Sequence, residues 1–165
     1  MEESEVIIRQ AGEDDKYSIC EITKHVIKTG DTYILSPNSN SDKILNYWFG
    51  QDKIVFVAEI NNKVVGVFNI RPNQPDLGNH VANSSYMVSP RFQNRGVGKI
   101  MAKYSLQKAR ELGYKAMQYN FVVKSNIGAI KLWQKLGFSI IGEIPQAFRH
   151  SKEGLVNAYI MYRKL

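Results

Sequence analysis

The sequence predicts an α+β domain in which a central mixed β-sheet of about seven strands is flanked by about four helices. In the first half of the chain, strand-like runs follow one another through short turns, as antiparallel pairs do. In the second half, strand-like runs alternate with helical runs, which indicates parallel crossovers. The 165 residues match the usual size of one domain, so we expect a single domain over residues 1–165.

The first half reads as a strand, two helices and then a pair of strands. Apolar residues at helical spacing from residue 13 onward predict an amphipathic helix. Asn61 and Asn62 separate two strand-like runs, and because asparagine tolerates a positive φ this pair indicates a hairpin. Ser41 stands where it could cap the second helix. The predicted elements are a strand over Val6–Arg9, helices over Glu13–Lys28 and from Ser41 through Trp48, and strands over Ile54–Ile60 and Lys63–Ile70.

The second half alternates strands with helices. Pro72 and Pro75 end the third strand, and Gly113 and Gly137 follow helical runs where glycine commonly ends a helix. We expect Pro145–Gly154 to be a loop between the last two strands. The remaining predicted elements are strands over Val81–Val88, Ala116–Val122, Phe138–Glu143 and Leu155–Tyr162, and helices over Val97–Leu112 and Asn126–Leu136.

Composition argues against several classes of protein. The chain begins with an acidic stretch, residues 1–5, that leads into a strand, so we expect no secretory signal. No run approaches the roughly 20 apolar residues of a membrane span. The single cysteine, Cys20, has no activating context, which favours a core residue in a reducing, cytoplasmic compartment. The net charge of +7 is spread over helix faces, and no nucleic-acid motif accompanies it.

The stretch from Val88 to Gly98 is the most informative part of the sequence. A strand stops at Pro90, and an arginine-bearing turn leads into the helix that begins at Val97. Free N–H groups at a helix start form an anion site. Gly96 and Gly98 leave room for a phosphate close to the main chain. We therefore expect a phosphate-bearing ligand here.

Spacing excludes two common phosphate motifs. A P-loop requires a hydroxyl residue after its lysine, but Lys99 is followed by Ile100. The dinucleotide fingerprint requires a third glycine where Met101 stands. A strand-to-helix turn whose glycines serve only close packing remains the alternative.

The spacing Gln-x-x-Gly-x-Gly, from Gln93 to Gly98, resembles the acetyl-CoA pyrophosphate loop of the GCN5-related N-acetyltransferases (GNAT). A second block, from Asn126 to Phe138, resembles a segment of the same family in which an asparagine caps a helix and Gly-Phe opens the sixth strand. The resemblance covers nearly the whole chain and is densest over residues 79–165. It implies the GNAT fold, with strands 4 and 5 splayed apart and acetyl-CoA bound in the V-shaped opening between them.

The resemblance also implies roles for single residues. A main-chain N–H near Val88 would stabilise the oxyanion during direct acetyl transfer, with no metal and no covalent enzyme intermediate. Asn126 would contact the coenzyme as well as cap its helix. The residues expected to bind acetyl-CoA are Met87, Val88, Gln93, Asn94, Arg95, Gly96, Val97, Gly98, Lys99 and Asn126.

The sequence departs from the family pattern at two positions that handle protons. Trp133 occupies the helix position where many relatives carry a tyrosine, and an indole cannot usefully protonate a thiolate. The fourth strand has no carboxylate to act as general base. The candidates for deprotonating the amine are water held by Asn83, Ser85 or Asn120, and the imidazoles of His80 and His150.

The acceptor side of the site is assigned from single polar residues. Asn120 interrupts an apolar strand, so it either bonds across the sheet or faces the cleft and holds the acceptor. Together with Asn83 and Asn126 it resembles the subgroup that acetylates azetidine-2-carboxylate, a proline analogue. Arg149, in the predicted loop over the site and beside His150, could grip an acceptor carboxylate.

We therefore expect an acetyl-CoA-dependent N-acetyltransferase acting on a small amine, with amino acids and their analogues favoured. Val88, Asn83 and Asn120 are the candidate catalytic residues, and Asn120, Arg149 and His150 are the candidate acceptor ligands. The alternatives are an acetyltransferase of protein N-termini or ribosomal proteins, a non-catalytic acyl-CoA-binding module, and a basic nucleic-acid module. We expect neither nucleic acid nor membrane as partner and consider a homodimer.

Overall fold

The computed structural model describes residues 5–165, so most of the acidic stretch at residues 1–5 lies outside the described part. Within residues 5–165 the chain forms seven β-strands and four α-helices. In chain order these are β1 (Ile7–Gln10), α1 (Lys16–Ile27), α2 (Ser41–Trp48), β2 (Ile54–Ile60), β3 (Lys63–Pro72), β4 (Val81–Val88), α3 (Val97–Glu111), β5 (Ala116–Val123), α4 (Ile127–Lys135), β6 (Ser139–His150) and β7 (Gly154–Lys164).

The seven strands form a single mixed sheet in the order β1-β2-β3-β4-β5-β7-β6. Every neighbouring pair is antiparallel except β4 and β5, which run parallel. These two strands pair Val81 with Ala116 and Ala82 with Met117 and then separate. The predicted mixed sheet, its four helices and its splay are therefore confirmed.

The sheet separates two apolar cores, and alternation along a strand supplies both. On β2, Phe56 faces the core that contains residues of α3 and α4, while Val57 faces the core formed with α1 and α2. Cys20 is a free thiol buried in the second core, as predicted, and burial raises its pKa. Because each face carries its own pair of helices, the opening between β4 and β5 lies in the middle of a three-layered structure.

Turn and cap residues define several element boundaries. Asn61 and Asn62 take φ values of 50° and 60°, which confirms the predicted hairpin. Asn40, and not Ser41, caps α2, because its Oδ1 accepts a hydrogen bond of 2.9 Å from the N–H of Lys43. The first predicted helix begins as a short 3-10 turn, Glu13–Asp15, before α1.

The prediction of a loop over Pro145–Gly154 is wrong. β6 continues to His150 and β7 begins at Gly154, so only a three-residue turn joins them. Gln146 takes a φ of 49°, and the register between β6 and β7 shifts between Ile144 and Phe148. This irregularity accommodates the proline within an edge strand, so the proline interrupts the ladder without ending the strand.

A buried carboxylate joins the start of the helical layer to the sheet edge. Arg9 donates to both oxygens of Asp15, at 2.7 and 2.8 Å, and also contacts Glu59 at 2.6 Å. The N–H of Gly12 donates to Asp15 at 2.7 Å. The hydrogen bonds from Arg9, with help from Gly12, lower the pKa of Asp15 below its ordinary 3.8.

Replacing Asp15 with asparagine should lower the free energy of unfolding at neutral pH by about 1–2 kcal/mol, because its charge-assisted hydrogen bonds with Arg9 are lost. The loss stays moderate because water partly screens the guanidinium. A depressed folded pKa stabilises the protein above the ordinary value and ceases to do so as pH falls through the folded value. The difference between wild type and Asp15→Asn should therefore stay constant above about pH 5 and shrink below pH 4. Urea unfolding at several pH values measures it, and a difference that persists undiminished in strong acid would contradict the assignment.

Candidate active site

Hydrogen bonding between β3 and β4 decides which main-chain groups face the opening. The N–H of Ser89 donates to the carbonyl of Val65 at 2.7 Å, and hydrogen-bonded positions alternate along an antiparallel pair. The main chain of Met87 therefore bonds to β3. The N–H and C=O groups of Val88 and Tyr86 instead point away from β3, toward the opening. Of the two predicted main-chain contacts, Val88 has the required orientation and Met87 does not.

The turn before α3 presents further N–H groups. Asn94 and Gly96 take φ values of 60° and 80°, so the backbone is left-handed at two positions of the turn. Such a turn directs successive main-chain N–H groups toward one concave site. The first helical bond runs from Ile100 N to Gly96 O at 3.0 Å. The N–H groups that precede this bond belong to Val97, Gly98 and Lys99. A methyl group on Gly96 would meet no atom within 4 Å, so the space beside the turn is open.

A cavity of about 470 Å³ lies along this turn and the outer end of β4. We call it the larger cavity. It brings together predicted coenzyme residues from three separate elements: Met87, Val88, Gln93, Asn94, Gly98 and Asn126. The Asn126 side chain accepts a 3.3 Å hydrogen bond from Ala129 N and so caps α4 as predicted.

A second cavity, of about 260 Å³, lies on the inner side of the opening, and we call it the smaller cavity. Asn83 lines it, donating to the Gln118 carbonyl at 2.9 Å and accepting from Arg71 Nε at 3.1 Å. Asn120 also lines it, and its amide donates to Asn73 Oδ1 at 2.6 Å. Asn120 thus makes a structural hydrogen bond and also borders the smaller cavity, while its role in holding an acceptor stays a prediction.

Irregular pairing on β5 turns Asn120 toward the smaller cavity. The register between β5 and β7 shifts between Tyr119 and Val122, so Asn120 and Phe121 lie in the bulged segment. A bulge re-aims side chains, which explains how a polar residue enters a cleft from an otherwise apolar strand.

The two cavities share one wall, so they meet at the opening between β4 and β5. Tyr33, in the segment between α1 and α2, is part of this wall, and its hydroxyl donates to the main-chain carbonyl of Tyr86. The shared residues are Thr32, Tyr33, Tyr86, Asn126, Ala129 and Trp133. Sequence reasoning missed Tyr33, since nothing local links it to a residue 53 positions away.

A buried chain of hydroxyl groups runs behind this wall. Ser105 donates to the carbonyl of Ala102 at 2.7 Å, so it must accept from Tyr86 at 2.6 Å. Tyr86 in turn accepts from Tyr119 at 2.8 Å. Burial raises the pKa of both phenols and of Tyr33. All three therefore stay protonated near neutral pH and cannot serve as bases.

Several predicted site residues line neither cavity. Arg95 lies over the Phe92 ring at 5.2 Å, and the Val97 side chain is buried in the core. Gly96 and Lys99 lie at the start of α3 without lining this cavity. Of the ten predicted coenzyme residues, the four that do not line the larger cavity are therefore Arg95, Gly96, Val97 and Lys99.

The three polar residues assigned to the acceptor or to proton transfer lie elsewhere. Arg149 and His150 belong to β6 and not to a covering loop, and Arg149 is exposed. His150 Nδ1 accepts hydrogen bonds of 3.1 Å from the N–H groups of Lys152 and Glu153, so it caps the β6–β7 turn. His80 is exposed in the segment before β4. None of the three is part of either cavity wall.

The smaller cavity contains charge of one sign. Arg71 is the one ionised side chain among the described residues that line it, and neither a carboxylate nor an imidazole joins it there. Among residues 5–165 no group of three or more His, Cys, Asp or Glu side chains could hold a metal ion. Nor does this part of the chain contain a helix long and apolar enough to cross a membrane.

Replacing Ser105 with alanine should destabilise the protein by about 1–3 kcal/mol, because the buried Tyr86 hydroxyl then donates to nothing. Tyr119→Phe removes a donor instead and leaves that hydroxyl bonded to Ser105, so its cost should be smaller, about 1 kcal/mol or less. Urea unfolding of both variants tests the assigned direction of the chain, and the reverse order of stabilities would show that it runs the other way.

Comparison with known proteins agrees with this geometry. The model of the acetyltransferase (GNAT) family matches residues 25–138. N-acetyltransferase aca1 of Schizosaccharomyces pombe is 38% identical over 98 residues, which are 59% of this chain and 47% of that protein. A spermine/spermidine N(1)-acetyltransferase of Bacillus subtilis is 38% identical over 60 residues, 36% of this chain and 39% of that protein. The chain thus spans about half or less of the length of these curated relatives.

Solved structures match over nearly the full chain. A GCN5-related N-acetyltransferase from Kribbella flavida is 34% identical with a TM-score of 0.91, covering 97% of this chain and 98% of that one. The putative acetyltransferase yncA of Salmonella typhimurium, solved with acetyl-CoA, shares the fold at 24% identity and a TM-score of 0.82, covering 97% and 94%. With the family model matched over more than half of its residues, this chain belongs to the GNAT family of acetyltransferases.

Proposed function

We propose that the protein transfers the acetyl group of acetyl-CoA to the amine of a small molecule. One observation carries the proposal: two cavities on opposite sides of the β4–β5 opening share a wall, so a donor from one side can meet an acceptor from the other. Family membership supplies the donor, since this family uses acetyl-CoA as cosubstrate.

The larger cavity suits the coenzyme. Unbonded amides at the start of α3, the left-handed turn at Asn94 and Gly96, and the open space beside Gly96 match a diphosphate group. Gln93 and Asn126 add side chains to the same cavity. The predicted contacts of Arg95 and Lys99 would have to come from exposed side chains at its rim.

Val88 is our candidate for the oxyanion donor. Its N–H points into the opening, on a strand fixed by bonding to β3, so the group would require no reorganisation as charge develops on the thioester oxygen. Asn83 and Asn120, predicted as catalytic, act in this proposal by shaping the acceptor side, because their amides already bond to protein atoms. Attack by the amine breaks the thioester bond and forms an amide, leaving a proton and a thiolate.

The smaller cavity supports a small acceptor over a polypeptide chain. Its volume is about 260 Å³, and the tip of the β6–β7 hairpin is tied to the segment beside it. Ser151 N donates to Gly30 O at 3.1 Å, and its hydroxyl donates to Thr29 O at 2.7 Å. Within the enzyme class, the alternative acceptors are protein N-termini and the polyamines named for the Bacillus subtilis relative.

Measuring release of free thiol from acetyl-CoA with a panel of amines, amino acids and N-terminal peptides tests the proposal. We expect turnover with small amines and little with peptides. A non-catalytic acyl-CoA module would bind coenzyme by calorimetry yet release no thiol with any amine, and a nucleic-acid module would ignore coenzyme and bind DNA or RNA in a salt-sensitive way. The homodimer and the cytoplasmic location stay predictions.

Replacing Gly98 with alanine separates the coenzyme role from a packing role. The added methyl would lie 3.7 Å from Val88 Cγ2, an ordinary contact, and alanine favours helix by up to about 1 kcal/mol. The free energy of unfolding should therefore be unchanged or higher, while the KM for acetyl-CoA should rise about tenfold as the methyl enters the diphosphate space.

Gly50→Ala is the matched control for this variant, because its methyl would meet only the flexible side chain of Lys53, at 3.6 Å. Steady-state kinetics and urea unfolding measure both variants. If Gly98→Ala left the KM for acetyl-CoA unchanged, the glycine would serve the backbone alone.

The pH dependence of the reaction should follow the acceptor and not the protein. No carboxylate or imidazole lies among the described residues of the smaller cavity, and His25 and Asp31 line only the larger one. We therefore expect the amine to enter the smaller cavity already neutral or to lose its proton to water. The logarithm of kcat/KM should rise with pH and level off near the amine's own pKa. Two acceptors whose pKa values differ by about 2 should give profiles displaced by the same amount. A shared inflection near pH 6–7 would reveal a protein base.

A further inference from the structure

Arg71 stands out because it is an ionised group in a cavity without a counter-charge. It lies near the end of β3, is half-buried, and lines the smaller cavity. None of the ion pairs formed within residues 5–165 includes it. Sequence reasoning missed it because nothing near Arg71 in the chain marks it as a site residue.

The hydrogen bonds of Arg71 hold one side of the guanidinium and leave the other available. Its Nε donates to Asn83 Oδ1 at 3.1 Å. Asn83 cannot turn freely, because its own amide donates to the Gln118 carbonyl at 2.9 Å, across the base of the splay. The guanidinium is therefore anchored at Nε, and its two terminal nitrogens remain for a ligand. A fixed planar fork of N–H donors matches the two oxygens of a carboxylate.

The surroundings of Arg71 contain neutral polar groups and a second cation. Tyr47, Ser85 and Asn120 line the same cavity. Burial and the charge of Arg71 lower the pKa of Lys53, whose Nζ donates to Tyr47 O at 2.8 Å. The region therefore attracts anions and would repel a polycation.

We propose that Arg71 binds the carboxylate of the acceptor, so that the acceptor is an amino or imino acid whose amine and carboxylate belong to one small molecule. The inference rests on the proposed acetyl transfer and assigns to Arg71 the role that the sequence suggested for Arg149. The carboxylate end would lie at the base of the splay, beside Asn83, and the amine would extend along β4 toward Tyr86 and the opening.

The test uses acceptors in matched pairs. The purified full chain is assayed for thiol release with azetidine-2-carboxylate and the protein amino acids, each beside its own carboxamide, and with spermidine as polycation. Because an amide lowers the pKa of the neighbouring amine, kcat/KM is expressed per neutral amine. We expect an acid to exceed its carboxamide at least tenfold in kcat/KM, with spermidine inactive.

Three variants locate the source of this preference. Arg71→Gln should abolish it, mainly by raising the acceptor KM, with the KM for acetyl-CoA unchanged. Arg71→Lys should keep part of it, since an ammonium supplies charge without the fork. Arg110→Gln, at an exposed position on α3, is the control and should keep all of it. The acid-to-amide ratio is internal to each variant, so partial unfolding lowers both rates and leaves the ratio interpretable.

The outcomes distinguish the two proposals. Thiol release with carboxamides or spermidine as fast as with acids would overturn the role of Arg71 and leave acetyl transfer standing. Arg71→Gln with an undiminished acid preference would overturn it as well. No thiol release with any amine would sink the proposed function itself.

Discussion

The separation of β4 from β5 is the constraint on which the site depends. Two parallel strands that have begun to pair would normally continue, because each further residue satisfies main-chain groups. Here a cluster of aromatic rings stands between them. Trp133, from α4, lies 5.0 Å from the Tyr86 ring on β4 and 4.6 Å from the Tyr119 ring on β5. These rings act as a wedge between the two strands and bury a large apolar surface. The stabilisation from that burial offsets the main-chain hydrogen bonds that β4 and β5 no longer form with each other.

Polar bonds fix the wedge in place. At the point where the strands part, Asn83 supplies from its side chain a bond to Gln118 that the ladder no longer makes. Behind the rings, the hydroxyls of Tyr119, Tyr86 and Ser105 donate hydrogen bonds in one direction, and the last bond goes to the helix carbonyl of Ala102. Each buried hydroxyl is satisfied, so the apolar wedge carries no penalty for its polar atoms. The freed edge of β4 then presents the Val88 N–H to the opening.

The sequence predicted those parts of the fold and site that depend on neighbours along the chain. The Asn61-Asn62 turn and the glycine-bearing turn before α3 follow from local conformational preferences, and both are present. The splay between β4 and β5 was expected from the family resemblance and not from a local pattern, and the order of the strands within the sheet was not predicted. The loop assigned around Pro145 failed because an irregular register let β6 continue past it.

That error also misplaced Arg149 and His150, two of the three candidate acceptor ligands. With residues 146–150 in a strand, Arg149 is exposed and lines neither cavity, whereas Arg71, on the strand that pairs with β4, lines the smaller one. Tyr33 reaches the opening by a hydrogen bond to a residue 53 positions further on. Such contacts are set by tertiary packing, and no spacing rule along the chain reports them.

The distribution of charge explains how the site could work without the usual acid and base. In the proposed reaction both anionic groups lie at the ends, the diphosphate at α3 and the acceptor carboxylate at Arg71. The wall between the cavities, by contrast, consists of six uncharged residues. An amine brought against that wall loses hydration, which disfavours its charged form and lowers its pKa. In the proposed reaction Trp133 would add to this effect, because its indole gives the shared wall apolar surface where a tyrosine would place a hydroxyl. The neutral nucleophile would then be favoured by its surroundings and not by a dedicated base.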